Sequence, residues 1–186
     1  MKNCFVIFLV GLCFVLFCSK AMSQDQSAPA TGFADGKSLK IETPKGWKIS
    51  TPEIGKAMVF TISPETSHHF RIRVTAIPLG KLKPGANTPE QLKVLTQQMS
   101  QSMIGEAEEK VVVINEAKID KGTAYYFHLT DKNLKAGERK YLTQLVLGID
   151  EAVIFMTFTS IEKDSEEQKL VFEMVKTIRL AKVSHT

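Results

Sequence analysis

Beyond Ser23 the chain contains no cysteine, because Cys4, Cys13 and Cys18 all fall in its opening stretch. With that stretch removed, disulfides, thiolate metal sites and a cysteine nucleophile are excluded, and stability has to come from packing. Charge of one sign is scarce as well. The 24 basic and 20 acidic residues give +4, and setting aside Lys2 and Lys20 leaves 22 against 20, or +2. So even a balance excludes nucleic acid or an anionic membrane as the expected partner. Long apolar runs are the third scarcity. Residues 5–17 form one, but a membrane span needs about 20 such residues and a signal-peptide core roughly 7 to 15.

Residues 1–23 are therefore expected to be a signal peptide, with small residues at Ala21 and Ser23 placing the cut before Gln24. The mature chain is expected in the periplasm or outside the cell, with no transmembrane anchor. A competing reading makes Cys18 the lipid-modified first residue of a lipoprotein. The residue before such a cysteine is normally small, and here it is Phe17, so an unlipidated chain is the expectation.

Catalytic motifs are also missing. No Gly-x-Ser-x-Gly elbow occurs, and Gly80-Lys81 lacks both the leading glycine and the hydroxyl residue of a phosphate loop. Ser160-Ile161-Glu162-Lys163 has the Ser-x-x-Lys spacing, but its companion elements are absent. His68 and His69 are adjacent, so on a strand they point to opposite faces and cannot readily share one ion. A metal site joining His69 or His128 to Glu106 or Glu108 would need tertiary convergence. No enzyme activity, metal or cofactor is expected.

What is present is a polar leader, residues 24–37, followed by one domain over residues 38–181. The leader is rich in Gln, Ser, Ala, Pro and Gly and buries too little apolar area to offset its ordering entropy, so it is expected to be flexible. The domain opens on residues 39–50, which hold the single tryptophan. Ile41 and Trp47 flank a Pro44-Lys45-Gly46 turn, so two short strands are expected to fold around one aromatic anchor.

Alternation predicts strands over residues 57–63, with Met58, Phe60 and Ile62 on one face, and over 69–76, with Phe70, Ile72, Val74 and Ala76. Thr88-Pro89-Glu90-Gln91 then starts a helix whose Leu92, Leu95, Met99 and Met103 form one stripe, stopped by a left-handed Gly105. Further strands are expected over 110–120 and 123–130. Those over 140–149 and 151–160 are apolar on both faces and belong at the sheet centre. A second helix is expected from Asp164, with Glu167 as its capping partner, to about Leu180. It buries Leu170, Val171, Met174, Val175 and Ile178. The fold class that follows is α+β: an α/β/α sandwich with two long helices and a mainly antiparallel sheet of about six to eight strands.

The order of these elements, the Pro-Lys-Gly-Trp turn at Pro44 to Trp47 and the closing Thr177-Ile178-Arg179-Leu180 resemble the PsbP-like fold. That group includes the photosystem II extrinsic protein, the bacterial envelope protein DcrB and the Ran-binding Mog proteins. The resemblance spans residues 39–180 and implies a scaffold of accessory and docking proteins without shared catalysis. It carries over no functional residue. The extended amino-terminal segment with which PsbP docks has no match in residues 24–37, so a photosynthetic role is not implied.

One constellation remains. His69, Arg71 and Arg73 alternate along a strand, which sets neighbouring side chains about 7 Å apart, a row suited to carboxylates on a protein partner if that strand lies at an edge. Two functions are open on the sequence. The first is an exported docking module using this row. The second is an envelope protein that binds a small ligand or metal between helix and sheet, with weak hydrolytic activity as an adjunct.

Overall fold

The computed structural model of the protein describes residues 22–27, 37–50, 53–54, 57–119 and 122–182. The apolar run at 5–17 and the three cysteines lie outside these residues, as does most of the expected signal peptide. No helix among the described residues is long and apolar enough to cross a membrane.

Two sheets share the chain. The small one is antiparallel, with β2 (Lys37–Pro44) between β1 (Met22–Ser27) and β11 (Arg179–Lys182). Residues 24–27, expected in a loose leader, are thus a strand. Ladder bonds are made by the backbone, so a polar composition does not announce them. The large sheet contains β3 (Trp47–Ile49), β4 (Glu53–Ile54), β5 (Met58–Pro64), β6 (Phe70–Pro78), β7 (Asn115–Ile119), β8 (Gly122–Thr130), β9 (Tyr141–Ile149) and β10 (Ala152–Ser160). Its order is β3-β5-β6-β10-β9-β8-β7, with β4 also paired to β5, and every pairing is antiparallel. The two strands apolar on both faces, β9 and β10, fall in the interior as their composition requires.

The turn before Trp47 joins two sheets and closes no hairpin. Gly46, at φ 78°, takes the left-handed conformation the reversal needs, and the strands on its two sides enter different sheets. Trp47, 6% exposed, packs edge-on against Phe70 at 5.7 Å between ring centroids. Phe70, Phe158, Phe172 and Tyr126 continue the aromatic chain beneath α2 (Glu166–Thr177). Val171, Met174 and Val175 of α2 are buried in this core together with Leu39 and Ile41 of the small sheet.

The opposite face of the large sheet holds α1 (Pro89–Met103). Thr88 caps it as expected, accepting from the Gln91 N–H at 3.4 Å. Its buried line is Leu92, Thr96 and Ser100, with Leu95 and Met99 on the flank. The helix is therefore rotated from the Leu/Met stripe, and the Thr96 hydroxyl is satisfied by donating to the Leu92 carbonyl at 2.7 Å. α1 packs on β8 and β9, over Tyr125 and Val146, and leaves much of the β5, β6 and β10 surface open.

Four boundaries differ from expectation. α1 ends in a 3-10 turn, Ile104–Glu106, in which Gly105 is not left-handed. Residues 110–114 precede β7 without joining its ladder, because the chain has still to descend from the helix to the sheet edge. α2 is capped by Ser165, which accepts from the Gln168 N–H at 3.3 Å, while Asp164 takes φ 56°. The stretch after Thr177 leaves the helix as β11, drawn into pairing with β2.

Candidate functional site

The expected row at His69, Arg71 and Arg73 is not on an edge strand. β6 is paired on both sides, to β5 and to β10, so its outward side chains stand on the face of the sheet. Register places Thr159 opposite Arg71, Thr157 opposite Arg73 and Phe155 opposite Thr75. On the next strand Gln144 lies opposite Thr157. Met99, from the flank of α1, forms a wall, and together these residues line an open groove of about 550 Å³.

Gln144 and Thr157 in the floor are already engaged with each other. Gln144 is 3% exposed, and its Oε1 accepts from the Thr157 hydroxyl at 2.6 Å while its Nε2 donates to the Leu145 carbonyl at 3.3 Å. The arginines differ in this respect. Both are exposed, and among the described residues neither guanidinium is held in an ion pair or a hydrogen bond. No acidic residue lines the groove, so the guanidiniums are its formal charges and its field attracts anions.

His69 stands apart from them. β6 begins only at Phe70, and the exposed His69 lies in the bend before it, where its N–H donates to Ser67 Oγ at 3.1 Å. It lines a separate depression of about 70 Å³ with Glu162 and Glu167. The structure thus brings Arg71 and Arg73 together and leaves His69 out. The threonines, Phe155 and Gln144 were missed because their placement beside β6 depends on strand order, which local alternation does not encode.

A second concavity, about 250 Å³, gathers His128, Glu109, Lys163, Asp164 and Gln168. The Gln168 amide donates to Thr143 Oγ1 at 2.8 Å, and the same Oγ1 lies 2.6 Å from His128 Nδ1 in a hydrogen bond whose direction follows the ring tautomer. Burial of this edge lowers the His128 pKa; Asp164 raises it and Lys163 lowers it. Burial also opposes ionisation of Glu109, but the Thr130 N–H and hydroxyl, each at 2.8 Å, outweigh it and hold the carboxyl below its usual range.

The residues weighed for other chemistry have other partners. Glu106 accepts from Asn133, Glu108 pairs with Lys140, and the Ser160 hydroxyl donates to the Glu162 carbonyl at 2.6 Å. Among the described residues no three His, Cys, Asp or Glu side chains converge as a metal set.

The His128 network predicts a pH dependence. Unfolded, the ring takes its proton near the ordinary value of about 6.5, and folded it does so at lower pH, so between the two the unfolded state binds more protons. Stability conferred by the neutral ring is present above that window and is lost as pH falls through it. The melting temperature should drop from about pH 7 to about pH 5.5, which lie on either side of the ordinary histidine midpoint. His128→Gln should flatten that slope, and an unchanged slope would assign it to other groups.

No family model and no curated protein sequence matches the chain. Among solved structures it resembles the solution structure of cyanobacterial PsbP (CyanoP) from Synechocystis sp. PCC 6803, at 12% identity and a TM-score of 0.52, covering 92% of this chain and 99% of that one. A crystal structure from Bacteroides thetaiotaomicron VPI-5482 aligns at 13% identity and a TM-score of 0.40, over 77% of this chain and 45% of that one. The chain has a PsbP-like fold.

Proposed function

We propose that this chain is an exported, non-enzymatic accessory module that docks an acidic segment of a protein partner in the cell envelope or outside the cell. The observation that carries the reading is the pair of unpaired guanidiniums, Arg71 and Arg73, in a groove without a carboxylate. Guanidinium forks bind carboxylates bidentately, and an extended segment with acidic residues at alternate positions repeats the roughly 7 Å spacing of the two arginines. Met99 and Phe155 supply an apolar bed beside them. The PsbP-like fold supports an accessory role in general. Export rests on the signal peptide expected over residues 1–23, with cleavage after Ser23.

The test is capture. The full chain, tagged at its carboxyl terminus, is cross-linked mildly in intact source cells, and wild type is compared with the Arg71→Glu, Arg73→Glu double variant. Both positions are exposed, so folding should change by less than about 0.5 kcal/mol, while recovery of the specific partner should fall more than about tenfold. Equal recovery by the variant would remove the groove from the reading. A rise in melting temperature with a small anion, lost in the same variant, would instead favour the small-ligand function.

A further inference from the structure

The stretch between α1 and β7 combines three properties that the docking reading leaves unused. It is open at the sheet edge, it is apolar, and its charges are arranged about a centre. β7 is terminal in the strand order and pairs with β8 alone, so its outer backbone edge has no partner among the described residues. Just before it, the chain touches β8 where the Glu108 N–H donates to the Thr130 carbonyl at 2.8 Å, then leaves and rejoins at Asn115 opposite Tyr126. Residues 110–114 are in no ladder. The Val113 carbonyl accepts a long bond, 3.4 Å, from Asn115 Nδ2 and keeps a lone pair.

Val111 is 79% exposed and Val113 68%, above the other exposed large apolar side chains, Val94 at 44% and Leu134 at 37%. β-branched residues in a row beside an open edge favour strand pairing over solvation. The charges around them say with what. Lys110 lies three residues before Val113 and Glu116 three after, while Glu108 lies five before and Lys118 five after. The pattern changes sign on reversal about Val113.

We propose that this segment pairs with the same segment of a second copy of the chain, antiparallel and two-fold about Val113. In that register Lys110 of one copy faces Glu116 of the other, Glu108 faces Lys118, and Val113 faces itself, with Val112 opposite Ile114. All four charged residues are exposed and share one parity, so an extended strand presents them on one side. Lys110, Glu116 and Lys118 are in no ion pair among the described residues. Glu108 already pairs with Lys140 at 2.8 Å but stays 52% exposed, so the second copy's Lys118 would join that pair. Charge also selects the register. Centring on Ile114 would set Lys110 against Lys118, and centring on Ala117 would keep only the contact between Glu116 and Lys118. A foreign strand has no reason to carry the reversed pattern, whereas a second copy carries it by symmetry.

Sedimentation equilibrium of the full chain at low salt tests this. Wild type should associate reversibly to a dimer. Lys110→Glu alone sets Glu against Glu across the pair and Glu116→Lys alone sets Lys against Lys, so each should weaken association more than tenfold while keeping the wild-type melting temperature at dilutions where the wild type is itself monomeric. Mixed one to one, the two variants face each other with opposite charges at both positions, and the dimer should return as a heterodimer. A monomeric wild type, variants that dimerise undiminished, or a mixture that stays monomeric would each overturn the proposal.

Discussion

Phe158→Ala should destabilise the domain by about 3–5 kcal/mol, the range for emptying an aromatic site in a packed core. The ring is 1% exposed and stands between Phe70, at 6.1 Å, and Phe172 of α2, at 6.0 Å edge to face. It couples the central strand to the helix that covers it, so its removal leaves a cavity that rigid β10 cannot collapse to fill. Urea unfolding measures this as a lowered midpoint with an unchanged slope. Phe158→Leu should recover part of the loss. A cost under about 1 kcal/mol would mean the aromatic chain is not the centre of the core.

Gly148→Ala, a single added methyl, should destabilise by about 1–3 kcal/mol. A Cβ on Gly148 would lie 2.7 Å from the Asn87 carbonyl oxygen, 3.0 Å from Asn87 Cβ and 3.1 Å from Leu92 Cδ1. The nearest obstacle is backbone, so the entrance of α1 must move away from β9. Amide exchange separates this from a general loss: the α1 amides should exchange faster while those of α2 keep their protection. Equal acceleration in both helices would contradict a local clash. Because Met99 on the same helix walls the groove, the variant should also weaken partner capture with both arginines intact.

The strands were legible wherever apolar residues alternate against one buried face, as in β5 and β6. The centre of the sheet was legible from strands apolar on both faces. What local pattern did not carry was pairing between distant segments. Arg71 and Arg73 read as a charged row, but whether β6 is an edge depends on β10 closing beside it. Thr96 and Ser100 sit in the middle of the buried side of α1 because that helix covers only part of a sheet, a circumstance set by strand order. Ile178 to Lys182 continues a helical pattern and is nonetheless extended, because the edge of β2 offers its backbone a ladder. The chain from Lys110 to Ile114 has strand composition without strand pairing.

Pairing of β2 with β11 sets Lys37 opposite Lys182, so the first strand of the domain waits for the last. Chain synthesis and any passage through a membrane deliver residues in order, and this contact cannot form until residues 179–182 have emerged. Closing so long a loop is entropically costly, so the large sheet is expected to assemble first and the small one to seal it. A carboxyl-terminal truncation that removes β11 should leave the fold unsealed beside Leu39 and Ile41. Lys37 and Lys182, where the paired strands begin and end, thus stand side by side in the small sheet and not in the large one that bears the arginines.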